Sequence, residues 1–275
     1  VATWRDSDDQ YLEMIAQCQH TIVEGDAYQL CLTTSVRVEP AADPVTTYLA
    51  LRSANPTHHG GFVQVGDISL LSSSPEQFVS ITPTGSIGTK PIKGTRRRDA
   101  NPVEDDRLRA ELLASDKERA ENLMIVDLMR NDLGRVCEVG SVVVPTLFEV
   151  ESYATVHQLV STITGQLRAD VSAVDAIAAT FPAGSMTGAP KYSATLILEA
   201  LERSPRGIYS GAFGYVGLDG AVDLAMVIRS IVMDDRGSTI GAGGGITALS
   251  VPAEELVEVK LKAAALLAVL GVAAQ

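Results

Sequence analysis

The sequence has few of the residues that build disulfide frameworks or soft-metal sites. It contains three cysteines, Cys18, Cys31 and Cys137, with no C-x-x-C spacing, and its four histidines form no Cys/His cluster with metal-ligand spacing. This pattern excludes a small disulfide-rich scaffold and gives no support to a zinc site. An odd number of unpaired thiols is typical of a reduced compartment, so we expect a cytoplasmic protein.

Long apolar runs are also missing. No run reaches the roughly 18–20 residues that a membrane-spanning helix needs. The first residues, Val-Ala-Thr-Trp-Arg-Asp, do not place a basic stretch before an apolar one, so no signal peptide is expected. Apolar residues make up 46% of the chain and charged residues 20%, a balance typical of a globular protein.

Positive charge is scarce relative to negative charge. The chain has 22 Lys and Arg against 34 Asp and Glu, a net charge of −12. Nucleic acid is therefore disfavoured as the main partner, because phosphate binding needs a basic surface. A small anionic substrate would need locally concentrated cations, backbone N–H groups or a metal ion.

The order of periodic segments predicts blocks of strands separated by helices. Helices are expected near 7–24, 43–53, 103–132, 154–161, 172–180, 189–203 and 252–270. Strand-like runs cover 27–38, 61–95 and 141–147, and residues 208–247 are expected to form a β-meander with a strong hairpin turn at Asp219-Gly220. This order favours an α+β fold, and a length of 275 residues allows one large domain or two.

One pair of carboxylates begins an apolar face of a predicted helix. Glu118 and Glu121 are three residues apart, so they share a face that continues through Ile125 and Leu128. The acids are therefore expected to point inward. The alternative is an ordinary acidic helix start, which the helix dipole favours.

The last helix repeats the arrangement. Glu255, Glu258 and Lys262 share one face, although Glu258 and Lys262 also have the spacing of a common surface ion pair. Four converging carboxylates would repel one another and require a cation. An all-oxygen set suits Mg²⁺ better than zinc, but spacing alone leaves a metal site and a solvated surface both open.

Two glycine-rich segments permit close approach to a ligand. Residues 181–191, FPAGSMTGAPK, lead into a predicted helix, where backbone N–H groups and hydroxyls can meet an anion. Residues 240–246, IGAGGGI, lie at a strand end. The second segment does not match G-x-G-x-x-G in a strand-to-helix turn, so a dinucleotide fingerprint is rejected.

Two cations are candidates for anion binding. Lys93 ends a predicted strand before a loop of arginines, 96–98, where a solvated lysine is the common alternative. Arg229 falls inside the apolar run 224–233, which we expect to be one strand. An unpaired cation there would be costly, so a carboxylate partner is expected.

Taken together, these segments resemble the family of chorismate-utilising enzymes, which includes anthranilate, aminodeoxychorismate, isochorismate and salicylate synthases. The resemblance runs from about Tyr11 to the C-terminus. It is carried by SPEQF (74–78), PIKGT (91–95), KERAENLMIVDLMRNDLGRV (117–136), VHQL (156–159), FPAGSMTGAPK (181–191), IYSGAFGY (208–215) and GAGGGI (241–246).

The resemblance implies a single catalytic domain over residues 1–275, in which two large antiparallel sheets pack together with helices outside. It also implies Mg²⁺ between the carboxylate pairs, held mainly by Glu121 and Glu258, with Glu118 and Glu255 as neighbours. The remaining site residues implied by position are Glu76 as general acid, His157 near the ring, Thr95 and Lys93 of PIKGT, and the substrate-binding set Tyr209, Arg229, Gly243, Gly244 and Lys262. For His157, a satisfied core histidine is the alternative.

Three positions favour the aminodeoxychorismate synthases within this family. Gln29 stands where the members that add water carry a lysine base, and glutamine cannot take a proton from water. Lys93 stands where anthranilate synthases typically have alanine. Ser185 and Thr187 match the S-x-T-G of aminodeoxychorismate synthases, although Ala183 departs from the glycine that is commoner there.

Lys93 has a chemical reason to be present. Attack of its amine on C2 of chorismate, with Glu76 protonating the departing 4-hydroxyl, would let ammonia enter at C4 in a second displacement. This requires a neutral amine, so nearby cations are expected to lower the pKa of Lys93. The product would be 4-amino-4-deoxychorismate, on the route to p-aminobenzoate.

Ammonia as the nucleophile implies a glutamine amidotransferase partner, as a subunit or a fused domain. The chain is short for this family, and roughly the first 150–200 residues of a full-length component are expected to be absent. Anthranilate synthase component I is the alternative enzyme. A chorismate-binding regulatory remnant without activity is the alternative of another class.

Overall fold

The computed structural model describes residues 1–153 and 156–272. The chain divides into two compact units, and each unit is built from more than one stretch of sequence. The first unit comprises Val1–Glu76, Met186–Gly214 and Ala225–Gln275, and the second comprises Gln77–Ser185 and Tyr215–Leu224. The expectation of a single domain stays a prediction.

The described residues contain short and long strands in two sheets. The strands are β1 (Ala2–Trp4), β2 (Gln29–Val38), β3 (His59–Val65), β4 (Ile68–Ser74), β5 (Gln77–Ile81), β6 (Ser86–Thr89), β7 (Ile92–Arg97), β8 (Val143–Ser152), β9 (Val156–Gln166), β10 (Gly188–Ala189), β11 (Ala212–Val216), β12 (Val222–Met226), β13 (Ser230–Met233) and β14 (Ser238–Ile246). The helices are α1 (Asp8–Glu24), α2 (Pro44–Ala54), α3 (Pro102–Ala114), α4 (Asp116–Gly134), α5 (Ala173–Thr180), α6 (Gly184–Thr187), α7 (Lys191–Glu202) and α8 (Pro252–Val269).

Both sheets have seven strands. In the first sheet the order is β1-β2-β14-β13-β4-β3, with β10 also paired to β2. In the second sheet the order is β11-β12-β5-β6-β9-β7, with β8 also paired to β9. The described pairings are antiparallel, for example β14 with β2 and β6 with β9. Two antiparallel sheets with flanking helices confirm the expected α+β architecture.

The core of the first unit lies between its sheet and the helices α1, α7 and α8. Helix α1 begins at a capping box formed by Ser7 and Gln10 and ends at Gly25, which has a left-handed φ of 91°. Its inward face buries Tyr11, Met14, Ile15 and Cys18 completely or almost completely. Alternate residues of β2 and β14 point apolar side chains into the same core, opposite those of the helices.

In the second unit, α4 packs on β9 and α3 packs on β7 and β9. A small cluster of Leu112, Val150 and Leu159 is buried there, with Phe148 against it. The guanidinium of Arg119 lies 5.1 Å from the centre of the Phe148 ring. Helix α4 is therefore fixed to the sheet at its N-terminal half, where the predicted carboxylates lie.

The helix expected over 103–132 is wrong as a single element. It breaks at Ser115, which has extended backbone angles and ends α3 while it begins α4. The Ser115 hydroxyl accepts a hydrogen bond from the amide of Glu118 at 3.4 Å. Serine competes for backbone hydrogen bonds and favours helix N-caps, so the break has a local cause.

The helix expected over 154–161 is also wrong. Residues 154 and 155 lie outside the described residues, and from Val156 the chain forms strand β9. The segment Val156–Gln166 contains several β-branched residues, which suit a pleated surface better than a helix.

The meander expected over 208–247 is divided between the two sheets. Strands β11 and β12 belong to the second sheet, whereas β13 and β14 belong to the first. The strand expected over 224–233 is therefore interrupted. Arg229 lies in the interruption with a left-handed φ of 50°, not inside a strand as predicted from the sequence.

The three thiols are free and buried. Cys18 and Cys31 lie in the first unit, and Cys137 lies in the second. Burial raises the pKa of Cys18 to about 12 and raises that of Cys137. Within the described part of the chain, no helix has the length and apolar character that crossing a membrane requires.

Candidate active site

The aromatic ring of Tyr209 lies directly on the backbone of β14. A β-carbon built at Gly241 would come 2.1 Å from Cγ of Tyr209, so only glycine allows this contact. Burial raises the pKa of the Tyr209 hydroxyl well above its ordinary value, which keeps it a hydrogen-bond donor at neutral pH. Tyr209, Arg206 and Gly241 also border a cavity of about 320 Å³ in the first unit.

Arg229 interacts electrostatically with Tyr209 and with Glu258. Burial among protein atoms lowers its pKa, and Tyr209 and Glu258 oppose that shift. The residue is nevertheless exposed to solvent, so the expectation from the sequence of a cation buried inside an apolar strand is wrong. Its carbonyl accepts the amide of Ser73 at 3.1 Å, which fixes the left-handed turn. Strained backbone of this kind is common at functional sites.

The glycines of β14 approach both a strand and a helix closely. A β-carbon at Gly243 would lie 2.5 Å from the carbonyl of Leu32, and one at Gly244 would lie 3.2 Å from Oε2 of Glu255. The ammonium of Lys262 donates to the carbonyl of Gly243 at 2.8 Å. Lys262 is thus held above the strand end whose amides were predicted to bind carboxylate.

The two carboxylates of α8 differ in exposure. Glu255 is 3% exposed and accepts a hydrogen bond from the hydroxyl of Ser250 at 2.8 Å. The side chain of Glu258 is 51% exposed and pairs with Lys262 at 2.7 Å. The expectation that both point into an apolar interior is therefore wrong for Glu258, because the i,i+4 pair with Lys262 keeps it at the surface.

Gln29 carries a buried amide without a protein partner. It is 1% exposed, and within the described residues neither its side-chain oxygen nor its nitrogen has a hydrogen-bond partner. Its backbone pairs with Ala189 of β10, next to the segment that ends at Thr187. Thr187 and Glu76 are also buried in this unit. A buried amide that is left unpaired is costly, so such a group is typical of a site that awaits a ligand.

Lys93 lies in a β-bulge of the second sheet. Ile92 pairs with Val160, but the next pair is Thr95 with Gln158, so β7 has one residue more than β9 at this point. Gly94 supplies the positive φ of 83° that such a bulge requires. The bulge changes the direction of Lys93 relative to a regular strand, while Thr95 is exposed.

Glu118 and Glu121 lie in the first turns of α4, beside this bulge. Their side chains are shielded, with Glu118 18% exposed and Glu121 a buried residue. A β-carbon at Gly94 would lie 2.9 Å from Oε2 of Glu118, so the bulge packs on this carboxylate. Arg96 also approaches Glu118, at 3.5 Å.

His157 has both ring nitrogens engaged. It is 1% exposed, its Nε2 lies 3.0 Å from Oδ1 of Asp105, and its Nδ1 lies 2.8 Å from the hydroxyl of Ser152. Asp105 in turn accepts hydrogen bonds from Arg98, which hold the pKa of that carboxyl well below its usual range. This geometry fits the alternative of a satisfied core histidine better than a direct contact with a substrate ring.

A buried network near Lys93 was not expected from the sequence. Asn122 is completely buried, and its side-chain oxygen accepts the hydroxyl of Ser161 at 2.5 Å. The amide of Ser161 donates to the carbonyl of Pro91 at 3.2 Å. Asparagine inside a helix and serine inside a strand are weak signals in a sequence, so only the fold brings them together.

The structure thus groups the predicted residues by unit. In the first unit it places together Tyr209, Arg229, Gly243, Gly244, Lys262, Glu255 and Glu258. In the second unit it places Lys93 and Gly94 beside Glu118, with Glu121 one helical turn further on. Ser185 is buried in the second unit, and its hydroxyl has no partner among the described residues.

The chemistry of the carboxylates fits a hard cation. Helices α4 and α8 each carry a pair of glutamates three residues apart, and in each pair one carboxylate packs against a glycine, Glu118 against Gly94 and Glu255 against Gly244. Oxygen ligands of this kind are those that Mg²⁺ prefers. Within the described residues, no three His, Cys, Asp or Glu side chains are already close enough to share one ion.

Known proteins resemble the chain over almost its whole length. The family model described as chorismate binding enzyme matches residues 2–268. Aminodeoxychorismate synthase of Streptomyces pristinaespiralis is 52% identical over 267 residues, which are 97% of this chain and 37% of that protein. Anthranilate synthase component 1 of Methanothermobacter thermautotrophicus is 43% identical over 94% of this chain and 55% of its own length.

A solved structure has the same fold. Anthranilate synthase component I of Streptococcus pneumoniae superposes with a TM-score of 0.88 at 34% identity and covers 97% of this chain and 59% of that one. The chain therefore spans between about a third and about three fifths of the length of these relatives. By its sequence motifs, its two antiparallel sheets and these matches, the chain belongs to the chorismate-binding enzyme family.

Proposed function

We propose that this chain is the catalytic part of an aminodeoxychorismate synthase, which converts chorismate and ammonia to 4-amino-4-deoxychorismate. The observation that carries the proposal is Lys93 in the β-bulge beside Glu118. The relatives support it, since those named aminodeoxychorismate synthase reach 52% and 51% identity, against 43% for a relative named anthranilate synthase.

The amine of Lys93 is the proposed first nucleophile. It attacks C2 of chorismate, the ring double bonds shift, and the 4-hydroxyl leaves as water with a proton from Glu76. Ammonia then attacks C4, the double bonds shift back, and the lysine amine leaves. Two displacements replace one difficult substitution with retention, which is the advantage of covalent catalysis. The bulge supports this role because it frees Lys93 from the alternation of a regular strand.

The carboxylates of chorismate are proposed to bind in the first unit. Tyr209 remains protonated and donates a hydrogen bond, and Arg229 supplies a charged fork that suits a carboxylate. The amides of Gly243 and Gly244 and the ammonium of Lys262 complete the donors. In this proposal the cations lie where the substrate binds, which is how a chain of net charge −12 would attract a dianion.

Magnesium is the proposed cofactor. Glu118, Glu121, Glu255 and Glu258 are the proposed ligands, directly or through water, as the family resemblance implies. When bound, Mg²⁺ would neutralise carboxylate charge on the substrate and on these glutamates. The two pairs of glutamates on α4 and α8 support this assignment, because carboxylate oxygens are the ligands that Mg²⁺ prefers.

Ammonia is proposed to come from a glutamine amidotransferase, as a subunit or a fused domain. The buried amide of Gln29 has no protein partner within the described residues, so it is free to accept an N–H of the incoming ammonia. The three free, buried cysteines favour a cytoplasmic location.

The test is product identification. The chain is incubated with chorismate, MgCl₂ and ammonium at mildly alkaline pH, and products are separated by liquid chromatography with mass detection. We expect 4-amino-4-deoxychorismate, which becomes p-aminobenzoate only after a separate lyase is added. Fluorescent anthranilate without a lyase would instead establish the anthranilate synthase alternative. Chorismate binding by calorimetry without turnover, also in the presence of an amidotransferase, would support the regulatory remnant.

A further inference from the structure

The outer edge of β2 is paired at its two ends and open in the middle. At one end β10 pairs with Gln29 and Leu30, and at the other β1 pairs with Val36–Val38. Between them, the backbone groups of residues 31, 33 and 35 face the same edge, because alternate residues of a strand point their N–H and C=O groups to the same neighbour. No strand among the described residues covers this gap.

Side chains fill the gap in place of a strand. The guanidinium of Arg206 donates to the carbonyl of Cys31 at 2.8 Å. The carboxylate of Glu202 accepts the amide of Thr33 at 2.8 Å and its hydroxyl at 2.9 Å. Arg5 donates through its side chain to the carbonyl of Thr33 at 2.6 Å and through its amide to that of Ser35 at 2.8 Å.

Glu202 and Arg206 form one buried ion pair with two parallel hydrogen bonds. Nε of Arg206 lies 2.8 Å from Oε2, and Nη2 lies 2.7 Å from Oε1. Nη1 donates to the carbonyl of Met186 at 2.6 Å. The side chains are only 4% and 17% exposed. Burial is the largest single influence and acts against the charge of Arg206, but the hydrogen bonds with Glu202 together with the electrostatic effects of Glu202 and other neighbouring groups raise the pKa of Arg206.

Each residue of this ion pair is connected to the proposed carboxylate site, Glu202 through strand β2 and Arg206 through the chain segment that follows it. On its other edge β2 pairs with β14, with Thr33 opposite Gly243 and Leu32 opposite Gly244. Arg206 is followed by Gly207, whose φ is 64°, and then by Tyr209, whose ring rests on Gly241. The ion pair therefore links the strand that aligns the glycine amides with the loop that carries the tyrosine.

We propose that Glu202 and Arg206 are positioning residues of the substrate site. They hold Tyr209 and the Gly243–Gly244 amides in register for the carboxylates of chorismate, acting through β2 and through residues 207–209. The proposal rests on the proposed function, since it assigns a role relative to that substrate. Arg206 donates at once to the carboxylate of Glu202 and to the carbonyls of Met186 and Cys31. The planar guanidinium can do this, whereas the ammonium of a lysine on its flexible stem cannot donate to all three in the same plane.

The test compares Arg206→Lys with Arg203→Lys, a matched substitution on the same loop at an exposed residue. We expect Arg206→Lys to raise the dissociation constant and KM for chorismate by about tenfold or more with a smaller change in kcat, as loss of ground-state alignment predicts. Glu202→Gln should behave similarly, because its amide N–H₂ would face the guanidinium. Arg203→Lys should match the wild type.

A double-mutant cycle with Tyr209→Phe separates positioning from general stability. If Arg206 acts through Tyr209, Arg206→Lys will weaken binding much less in the Tyr209→Phe background than in the wild type. Full additivity, or an Arg206→Lys variant that binds chorismate like the wild type, would overturn the proposal. So would a loss of activity matched by the fraction of unfolded protein in circular dichroism.

The binding measurement keeps this proposal distinct from the proposed function. Calorimetry reports the chorismate dissociation constant whether or not the enzyme turns over. A wild type that binds chorismate but makes no aminodeoxychorismate contradicts the proposed function, while the effect of Arg206→Lys on binding still decides the positioning role. A wild type that does not bind chorismate overturns both.

Discussion

The backbone of Gly94 lies against the carboxylate of Glu118: a β-carbon at Gly94 would come 2.9 Å from Cδ and Oε2 of that side chain and 2.8 Å from Cδ1 of Leu112. Lys93 precedes this contact directly. The proposed nucleophile therefore stands next to a glycine that packs against a proposed metal ligand.

This contact predicts a large effect of Gly94→Ala. The substitution introduces a clash and strains a residue with φ 83°, so we expect a loss of about 2–3 kcal/mol in the free energy of unfolding and severe loss of activity. Gly66→Ala is the control, because Gly66 also has a positive φ but open space around it. Urea unfolding measures both. Equal losses in the two variants would show that strain alone, not the contact with Glu118, is responsible.

The covalent route predicts an adduct on Lys93. Wild type mixed with chorismate and Mg²⁺ without ammonium should gain the mass of chorismate less water in intact-mass spectrometry, and Lys93→Ala should not. Lys90→Ala is the control, because Lys90 is engaged with Glu151 at 2.6 Å. If wild type never shows the adduct under rapid acid quench, direct attack by ammonia replaces the two-step route.

The unpaired amide of Gln29 predicts that removing it has opposite effects on stability and on activity. Gln29→Leu removes a buried donor and acceptor that have no partner within the described residues, so we expect it to stabilise the fold by about 1–2 kcal/mol. Ammonia-dependent turnover should fall at the same time. Gln77→Leu, which removes a hydrogen bond to Asp223, should not stabilise. Destabilisation by Gln29→Leu would mean that water or protein already satisfies the amide.

Metal dependence is predicted to involve the buried carboxylate Glu121. EDTA should abolish turnover and MgCl₂ should restore it, since four acidic side chains and a dianionic substrate need a cation. Glu121→Gln should raise the Mg²⁺ concentration for half-maximal activity by about tenfold or more. Glu138→Gln, at an exposed residue, is the control. Activity of wild type in excess EDTA would contradict the proposed cofactor.

The ion pair of Arg37 and Asp234 predicts that the first unit loses folding stability at low pH. Hydrogen bonds from Arg37 lower the pKa of Asp234 from 3.8 to about 2. The folded state therefore binds this proton less readily than the unfolded state, so the stabilisation is complete above about pH 4 and is lost as the pH falls towards 2. Asp234→Asn should cost about 1 kcal/mol at pH 6 and nothing at pH 2. Asp235→Asn, at an exposed neighbour, should show no such pH dependence.

Local signals were sufficient for several elements of the fold. Helix α1 has a capping box at Ser7 and a left-handed glycine at Gly25, and its predicted bounds agree with the structure within a residue. The failures have two different causes. At Ser115 a single N-cap residue divides a continuous helical pattern, and at Val156 strand preference and tertiary pairing prevail over apolar periodicity.

Candidate site residues could be named from the sequence where motifs carry them, whereas their surroundings could not be predicted where they depend on contacts between segments distant in the chain. Lys93, Tyr209 and the β14 glycines follow from motifs. The partners of His157 do not, because Asp105 lies 52 residues away on helix α3, whereas His157 lies on strand β9. Likewise Glu202 and Arg206 have the spacing of a surface pair, and only the gap in β2 shows that their charges are buried.

The three buried thiols make the two units separately observable. Each thiol is shielded from solvent in the folded chain, with Cys18 and Cys31 reporting on the first unit and Cys137 on the second. An alkylating reagent will therefore modify a cysteine only when its surroundings open. Peptide mapping of the labelled cysteines over time would give the opening rate of each unit in a single labelling reaction, without a dye, a tag or a substitution. Equal rates at all three would mean that the units open together.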